Sequence, residues 1–550
     1  MQRRFNTRVF AVLLALVLTL SFAANIFANE AKIPAPRYSN PEIQNIIVMI
    51  PDGMSIDGVA LARWYKSYDA DTGKIDTSVM LNMDELASGL VRTWWSDGEV
   101  IGAVVDSAPA ATAYASGIKT NDKYLGVTPQ STPVATIIEA ANLIGKSTGV
   151  IATSNVQHAT PAAYTSHYND RSKYDIIGEQ QAYNNLDVMM GGGSMYLVSP
   201  YRKDNENIIN EIKLMDYEYV TTREEMLAVT GGKLWGMFAP DAMAYDFDRQ
   251  ENAPDEPSLA EMTAKAIELL SQNENGFFLM VEGSKVDWTA HANDPIGLIS
   301  DILAFDAAVE VALDYAKANQ NTMLLIMSDH GNGGITIGNY DTDASYSKDP
   351  VSKFIAPLKK AGLTGEGVAA KFDEERANIA SVMETWYGID DLTEDEIEAI
   401  KATPAGSMNY TVGPMISKRA YLGWTTTGHT GEEVNLYTYL PGDGRITGTI
   451  DNTDIAKICA AAWKIDLDKV TAELYNDAEA AFKAIKADIE IDTEIQAGGR
   501  MTVTKDGDVL VIPENKNYVI FNDEKIEIDS VIVNQSGKFY VPEIVIDLIS

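Results

Sequence analysis

Four short segments of the chain are continuously apolar instead of alternating between apolar and polar residues. They read NIIVMI, TGVIAT, GFFLMV and TMLLIM. Unbroken apolar runs of this length are typical of strands that are covered on both faces. Segments with apolar residues at three- and four-residue spacing separate them, namely PVATIIEAANLIGK, SLAEMTAKAIELLSQN and DILAFDAAVEVALDYAKAN. This alternation predicts an α/β fold with a large, mostly parallel central sheet flanked by helices.

Polar residues that can bind a metal follow these apolar runs by one to three positions. They are Asp52, Glu282, Asp329 and His330. In open α/β sheets the functional site forms outside the carboxyl ends of the strands. We therefore expect these side chains to meet at one edge of the sheet.

Two stretches depart from the alternation of strands and helices. Residues 335–425 mix helical, turn and polar segments between His330 and His429, which predicts an excursion from the core. Residues 485–550 carry short alternating runs with turn signals, which predicts a small, mostly β accessory domain. Its closing segment, KFYVPEIVIDLIS, resembles the end of a copper-amine-oxidase-N-terminal-like, or stalk-type, module of exported bacterial proteins. That resemblance covers no catalytic residue and implies a structural or cell-wall-contacting role.

The first residues of the chain have the organisation of an export signal. MQRRFNTRVFAVLLALVLTLSFAANIFANEAK joins a basic start, an apolar run and small residues. This pattern predicts a secretory signal peptide over residues 1–28, with cleavage after Ala28 or Ala23. The apolar run is also long enough for an uncleaved membrane anchor. We therefore expect export to the periplasm, the cell envelope or the medium.

The amino-acid composition limits which partners the protein can bind and whether disulfides can stabilise its fold. The 550-residue chain carries 79 Asp and Glu against 43 Lys and Arg, a formal net charge of −36. An acidic surface repels phosphodiester backbones, so nucleic acid is not expected as a specific partner. Cys459 is the only cysteine, which excludes an intrachain disulfide.

One candidate metal site combines Asp287, His291 and His429. Asp287 and His291 stand four residues apart, so one helical turn places both side chains on the same face. A catalytic zinc has three protein ligands and an open position, and His429 in the glycine-flanked TTGHTG loop is the candidate for the third ligand. Taken alone, each histidine could equally be an ordinary core or surface residue.

A second candidate set, Asp52, Asp329 and His330, accompanies a candidate nucleophile. Ser107 lies in VVDSAPAATAYASG, before an alanine-rich helical stretch. A metal at this set would activate the serine hydroxyl, and the helix N-terminus would favour an attached phosphate. The local sequence is also compatible with a serine that merely caps the helix.

Phosphoryl transfer is the chemistry that most naturally needs both features. Two metals about 4 Å apart can hold the attacking and leaving oxygens of an in-line displacement on a phosphomonoester. An arginine is then expected to bind the other phosphate oxygens, and Arg171 in SHYNDRSKY is the candidate, with Asp106 as its orienting partner. Arg63 and Arg92 are weaker alternatives because no strand end lies beside them.

Six motifs together resemble the alkaline phosphatase family. In chain order they are PDGM, DSAPAATAYASG, ATPAAYTSH followed by Arg171, VEGSKVDWTAH, SDHG and GHTG, within residues 45 to 440. The resemblance implies that Ser107 is the phosphorylated nucleophile, that Arg171 binds the phosphate and that the catalytic domain spans residues 29–484. It also implies two zinc ions, one bound by Asp287, His291 and His429 and the other by Asp52, Asp329 and His330.

The family's third metal, usually magnesium, has matching ligands here in Asp52, Thr160 and Glu282. Two positions differ from the best-known bacterial pattern, since His158 replaces an aspartate and Trp288 replaces a lysine. Because magnesium prefers oxygen ligands, a third site that includes His158 implies weaker magnesium binding or another divalent ion. Trp288 would line the substrate site with Arg171 and Asp106, without the lysine that positions water near the phosphate. The His158 and Trp288 pair resembles that of some family members, which implies an active variant.

The leading hypothesis is therefore an exported phosphomonoesterase that forms a phosphoserine at Ser107 and then hydrolyses it. The alternative is a phosphodiesterase or sulfatase of the same superfamily, but such relatives present a threonine or a modified cysteine or serine in a different motif. A metal-holding surface protein without enzymatic activity is a third hypothesis, supported only by the acidic surface and the β-rich C-terminus. The resemblance also implies a homodimer.

Overall fold

A computed structural model describes residues 43–492 and 498–550 of the protein. The predicted signal peptide and both predicted cleavage positions lie outside the described residues. Within the described ranges, none of the helices combines the length and the apolar character that a membrane crossing requires.

A ten-stranded sheet forms the centre of the fold. Asn45–Pro51 lies between Phe277–Gly283 and Thr322–Met327 and is parallel to both. Every residue of these three strands is buried, as expected for strands covered on both faces. In sheet order the strands are Gly448–Asp451, Ala87–Arg92, Val434–Tyr439, Thr322–Met327, Asn45–Pro51, Phe277–Gly283, Ser147–Asn155, Val188–Gly192, Lys233–Ala239 and Tyr217–Val220.

The predicted α/β class and the mostly parallel sheet are confirmed. Only Val434–Tyr439 runs antiparallel to its neighbours among the described strands of this sheet. The three predicted helical segments are helical at Ile137–Leu143, Leu259–Leu270 and Pro295–Ala318. The first two each begin with a capping box, in which a threonine or serine and a glutamate three residues later satisfy each other's backbone amides.

Shorter helices carry the connections around the sheet. They include the two that bear the candidate nucleophile and the candidate zinc ligands. Their bounds are Ile56–Ser67, Ser107–Ser116, Ala159–Thr165, Tyr174–Tyr183, Ile208–Leu214, Arg223–Ala228, Asp246–Asn252, Lys285–His291, Asp454–Trp463, Leu467–Leu474 and Ala478–Ala484.

The excursion between His330 and His429 leaves and re-enters the core at one place. Gly331–Asn332 pairs antiparallel with His429–Thr430, and Ile335–Ile337 pairs antiparallel with Leu422–Trp424. We call these two strand pairs the neck of the excursion. The neck brings His330 and His429 together although a long segment separates them in sequence. Beyond the neck lie the helices Val351–Ile355, Gly365–Ala369, Ile379–Val382, Glu394–Ala402 and Asn409–Arg419.

The C-terminal part of the chain forms two small antiparallel sheets, which confirms its predicted β character. The larger sheet has an apolar core of alternating residues, including Met501, Val503, Leu510 and Ile512. Its strands are Asp488–Asp492, Arg500–Lys505, Asp508–Pro513, Tyr518–Phe521 and Glu524–Glu527. The smaller sheet joins Asn476–Asp477, Lys538–Val541 and Val533–Gln535. A domain boundary at residue 485 and the stalk-type resemblance stay predictions.

Tyr475, which directly precedes the strand Asn476–Asp477 of the smaller sheet, contacts a buried ion pair of the core. His167 Nε2 lies 2.8 Å from Glu139 Oε1, and the hydroxyl of Tyr475 donates to the same oxygen. His167 Nδ1 lies 2.8 Å from the carbonyl oxygen of Gly126. Burial opposes ionisation of both groups, but their attraction outweighs it, so the pKa of His167 is raised and that of Glu139 is lowered. The pair is therefore charged in the folded protein at mildly acidic pH.

Replacing Glu139 by glutamine should remove a stabilisation that depends on pH. Because the pKa of His167 is raised in the folded protein, protonated His167 stabilises the fold fully at a pH below its ordinary pKa of 6.5. This stabilisation is lost as the pH rises through the raised pKa. The lowered pKa of Glu139 means that its contribution is complete above the ordinary value of 4.5 and is lost at more acidic pH. The free energy of unfolding of the wild type should thus exceed that of Glu139→Gln by up to about 3 kcal/mol near pH 5.5. The difference should be smaller at alkaline pH.

Melting temperatures of the two proteins across this pH range test the expectation. Glu479→Gln is the matched control, because it removes only an exposed ion-pair partner of Lys483. A difference between wild type and Glu139→Gln that stays constant from acidic to alkaline pH would contradict the assignment.

Candidate active site

The carboxyl ends of three adjacent strands bring the predicted metal ligands to one edge of the sheet. Asp52 directly follows Asn45–Pro51, and Glu282 is the penultimate residue of Phe277–Gly283. Asp329 and His330 follow Thr322–Met327. All four side chains are fully buried. The structure therefore places these four polar residues in a single buried cluster.

Asp52, Asp329 and His330 converge beside Ser107. His330 Nε2 lies 3.4 Å from Asp52 Oδ1, 3.3 Å from Asp329 Oδ2 and 3.3 Å from Ser107 Oγ. Asp329 Oδ1 accepts hydrogen bonds from the backbone amides of Gly53 and His330. The three metal-competent residues each contribute a ligand atom to a group whose atoms lie within 4.8 Å of one another.

Asp287, His291 and His429 form a second convergence next to the first. His291 Nε2 lies 3.2 Å from His429 Nε2 and 3.4 Å from Asp287 Oδ2, and His429 Nε2 lies 3.5 Å from Asp287 Oδ1. The rings of His330 and His429 stack with their centroids 3.6 Å apart. Asp287, His330 and His429 also have ligand atoms within 4.8 Å of one another. The two predicted ligand sets are therefore adjacent, and His330 lies at their border.

Backbone carbonyl oxygens orient the three imidazole rings. His291 Nδ1 lies 2.6 Å from the oxygen of Thr427, His429 Nδ1 lies 2.8 Å from that of Val105, and His330 Nδ1 lies 3.3 Å from that of Gly331. A carbonyl oxygen only accepts, so each Nδ1 carries a proton and each Nε2 is directed at the carboxylates. Histidines that bind metals are held in this way.

The chemistry of the cluster fits divalent cations. Several buried oxygens have no hydrogen-bond partner, namely Asp52 Oδ1 and Oδ2, Asp329 Oδ2, Glu282 Oε1 and Thr160 Oγ1. Burial, and then the charges of Asp329, Asp287 and Glu282, raise the pKa of Asp52 well above its ordinary value. Burial opposes it, but Asp287 raises the pKa of His291 to about 9. Both shifts indicate that the cluster favours added positive charge, and buried oxygens without partners are suited to binding it.

A third group of potential ligands lies on the other side of Asp52. Ligand atoms of Asp52, His158 and Glu282 lie within 4.8 Å of one another. His158 Nε2 lies 3.0 Å from Arg171 Nη2, so Nδ1, which has no hydrogen-bond partner, is the nitrogen left for a metal. Burial, and then the charge of Arg171, lower the pKa of His158 to about 3, which keeps the ring neutral. With the unpartnered hydroxyl of Thr160, this group offers three oxygen-bearing residues and one imidazole.

Arg171 is held beside the nucleophile by Asp106. Its Nη1 donates to both carboxylate oxygens of Asp106, at 2.8 and 2.7 Å. Asp106 also accepts a hydrogen bond from the amide of Ala108 and caps the helix Ser107–Ser116. Asp106, and not Ser107, therefore occupies the N-cap position. Ser107 is the first helical residue, where the positive end of the helix favours negative charge.

The two alternative arginines have other partners. Arg63 pairs with Asp84, and Arg92 lies 3.4 Å from Asp451. Arg171 is the one of the three that contacts Asp106 and His158. Trp288 reaches the site indirectly, because its ring packs edge-on against the ring of His158 with centroids 5.7 Å apart.

Sequence analysis missed several residues that orient the ligands. Asn332 Nδ2 donates to Asp287 Oδ1 at 2.7 Å, and Ser284 Oγ donates to Glu282 Oε2 at 2.6 Å. Each of these residues stands two positions after a predicted ligand, in SDHGN and VEGS. This proximity in sequence is the feature by which they could have been identified. Gly53 has a φ of +67°, and a Cβ atom there would lie 2.6 Å from Asp287 Oδ1, so only glycine fits.

One further acidic cluster lies outside this site, and cations of the protein already neutralise it. Glu179, Asp204 and Glu206 have oxygen atoms within 4.8 Å of one another. Arg202 lies 2.9 Å from Glu179 and also pairs with Asp204, and Lys516 lies 2.6 Å from Glu179 and 2.7 Å from Glu206. The cluster is an ion-pair network that holds neighbouring segments together.

Comparisons with known proteins agree on one family. A family model described as alkaline phosphatase matches residues 43–465. Alkaline phosphatase 4 of Bacillus subtilis (strain 168) is 35% identical over 447 residues, which cover 80% of this chain and 92% of that protein. The crystal structure of Thermus thermophilus alkaline phosphatase aligns with a TM-score of 0.68 at 25% identity, over 79% of this chain and 94% of that chain.

A third relative concerns a metal site. It is the alkaline phosphatase of the Antarctic bacterium TAB5, in a structure of a histidine-to-glutamate mutant that has magnesium bound in the M3 site. That structure aligns with a TM-score of 0.56 at 26% identity, over 77% of this chain and 99% of that chain.

Removing divalent metals should reverse the effect of Asp52→Asn on stability. A metal present at a hundred times its dissociation constant stabilises the folded state by about 2.7 kcal/mol, so chelation should lower the melting temperature of the wild type. Asp52→Asn removes a predicted metal ligand and should lower the melting temperature of the metal-loaded protein. In chelated protein the same change removes a buried carboxylate that repels Asp329 and Glu282, and should raise it.

Scanning calorimetry with EDTA, and with zinc and magnesium, measures both effects. Asp451→Asn is the control, because Asp451 pairs with Arg92 and Lys119 outside the site. If Asp52→Asn lowered the melting temperature relative to the wild type by the same amount in metal-loaded and in chelated protein, this would argue against a metal at this residue.

Proposed function

Because this chain belongs to the alkaline phosphatase family of phosphate monoester hydrolases, we propose that it cleaves its substrates through a phosphoserine at Ser107. The observation that carries the proposal is the position of Ser107 Oγ. It lies 3.3 Å from His330 Nε2 at the first residue of a helix, and Asp106 at the preceding position binds Arg171. A nucleophile, a positive helix end and a phosphate-binding cation thus lie together.

Three groups of residues would hold the metals of the proposed enzyme. Asp287, His291 and His429 would bind one zinc, Asp52, Asp329 and His330 the other, and Asp52, His158, Thr160 and Glu282 magnesium or another divalent ion. When bound, these ions would polarise the phosphate and activate the serine hydroxyl and the attacking water.

The residues of the chain perform two in-line displacements. In the first, Ser107 Oγ forms a bond to phosphorus while the ester P–O bond breaks, and the alcohol departs with a proton. In the second, water attacks the phosphoserine, the Ser107 O–P bond breaks, and inorganic phosphate is released with Ser107 regenerated. The amides at the start of the helix Ser107–Ser116 stabilise the negative charge on the phosphate in both steps.

Arg171 binds the non-reacting phosphate oxygens. Burial opposes ionisation, but Arg171 lowers the pKa of Asp106 and Asp106 raises that of Arg171, so both groups stay charged. Asp106 engages Nη1 and His158 engages Nη2, which fixes the plane of the guanidinium before substrate arrives. Such preorganisation lowers the entropic cost of the reaction.

Monoesters suit this site better than the diesters or sulfates of the alternative hypothesis. A monoester presents more charged terminal oxygens to Arg171 and to the helix amides than a diester does, and a serine in the DSAPAATA motif serves as the nucleophile. Export by the N-terminal signal, a homodimer and cell-wall contact by the C-terminal region belong to the same proposal. They rest on the sequence pattern of residues 1–28 and on the two resemblances.

Hydrolysis of three para-nitrophenyl substrates tests the proposed reaction. The zinc- and magnesium-loaded protein should cleave the phosphate monoester in strong preference to the bis-ester and the sulfate. Ser107→Ala should abolish both this activity and the labelling of the protein by phosphate, because no phosphoserine can form. Ser116→Ala, at the far end of the same helix, is the matched control. Preference for diester or sulfate, or full activity in Ser107→Ala, would overturn the proposal.

His158→Asp should raise the amount of magnesium that the protein retains. The substitution offers magnesium a hard carboxylate oxygen instead of an imidazole nitrogen. It also keeps an acceptor that can reach Arg171. Elemental analysis after dialysis against limiting magnesium measures the retained ion, and Asp451→Asn, at a carboxylate outside the metal groups, is the control. Unchanged magnesium content in His158→Asp would place the third metal elsewhere.

A further inference from the structure

Arg171 stands at the end of a short loop that follows the helix Ala159–Thr165. We call residues 166–171 the arginine loop. Its later part is tied to the core, since Tyr168 and Leu125 exchange two backbone hydrogen bonds of 2.8 and 2.9 Å, and the amide of Arg171 donates to Lys123 at 3.0 Å. The start of the loop, at residues 166 and 167, is held by a different set of contacts.

Residues far along the chain hold the start of the arginine loop. The carbonyl oxygen of His167 accepts hydrogen bonds from Gln535 Nε2 at 2.9 Å and from Gln180 Nε2 at 3.3 Å. Gln180 also accepts a hydrogen bond from the amide of His167 at 2.7 Å and donates to Asn515 Oδ1 at 3.0 Å. All four of these residues are buried. Gln535 and Asn515 lie beyond residue 465, where the match to the family model ends.

The side chain of His167 is held separately, by its ion pair with Glu139 and by the carbonyl oxygen of Gly126. A cavity of about 580 Å³ lies at the junction, lined by Tyr168 of the arginine loop and by Tyr518 and Asn534 of the C-terminal region. Lys516 pairs with Glu179 of the helix Tyr174–Tyr183 and also connects the C-terminal region to the core. The backbone of His167 is thus held by Gln180, which Asn515 contacts, and by Gln535.

We propose that Gln535 and Asn515 are positioning residues that hold the arginine loop in the conformation in which Arg171 can bind phosphate. The C-terminal β region is then part of the phosphate-binding apparatus. The physical reason is a population effect, since apparent affinity falls in proportion to the fraction of molecules whose binding group is in place. The inference rests on the proposed function, in which Arg171 binds the phosphate.

Phosphate affinity of single and double variants tests the inference. The probe is inorganic phosphate, with its inhibition constant measured on the metal-loaded full chain and its dissociation constant measured by calorimetry. Gln535→Ala should raise both constants roughly three- to tenfold, as expected for one lost buried hydrogen bond, with a much smaller change in kcat. In an Arg171→Ala background the same change should have no further effect, because two residues that act through one group are not additive.

Asn534→Ala is the matched control, because Asn534 bonds only to Glu514 and Gly537 of the C-terminal region. It should leave phosphate affinity unchanged. Asn515→Ala, which removes the acceptor of Gln180, provides the same comparison in case Gln535→Ala does not fold. If folded Gln535→Ala or Asn515→Ala bound phosphate as tightly as the wild type, the positioning role would be wrong. It would also be wrong if Gln535→Ala lowered phosphate affinity equally with and without Arg171. Wild-type affinity in Arg171→Ala would instead overturn the proposed function of Arg171 itself.

Discussion

Four carboxylates buried at the carboxyl ends of neighbouring strands impose the constraint on which the rest of the structure depends. Asp52, Glu282 and Asp329 are inaccessible to solvent, and Asp287 is nearly so. Like charges at this separation repel strongly in a protein interior, where screening by water is weak. Hydrogen-bond donors surround these carboxylates. They are backbone amides, serine and asparagine side chains, and three converging imidazole rings. The carboxylate oxygens left without partners are those that suit cations.

The positions of the metal-competent residues at the strand ends could be predicted from the sequence, because few folds place an acidic residue directly after a fully apolar strand. An apolar run that is buried on both faces and ends at once in an acid, as before Asp52 and Asp329, places that acid at a sheet edge. Local spacing also placed Asp287 and His291 on one helical turn. Its glycine-flanked loop made His429 the candidate for the third ligand, but spacing could not show the contact, which depends on the register of the neck. The contacts of Asn332 and Gln535 depend on long-range packing, which leaves no periodic signal in the sequence.

The residues from Tyr475 onward are joined to the catalytic core by polar contacts between buried side chains and by a small apolar cluster that includes Val533 and Ala140. Tyr475 meets the ion pair of Glu139 and His167, and Lys516 meets Glu179. Apolar surfaces have little directional preference, whereas a hydrogen bond weakens steeply when its donor and acceptor lose their alignment. Contacts of this kind favour one relative placement of the two parts. They are suited to a segment whose position matters for a neighbouring site.

The neck also has a consequence for how this chain can change during evolution. Its two strand pairs close the excursion at its base, so the ends of the inserted segment stay together whatever lies between them. The entropic cost of a closed loop grows only with the logarithm of its length, by about 0.6 kcal/mol for each doubling. Exposed loops beyond the neck, but not the helical residues that pack into the core, can therefore be lengthened or shortened while the stacking of His330 on His429 is preserved. Mutation can explore new surfaces there without disturbing the inherited chemistry.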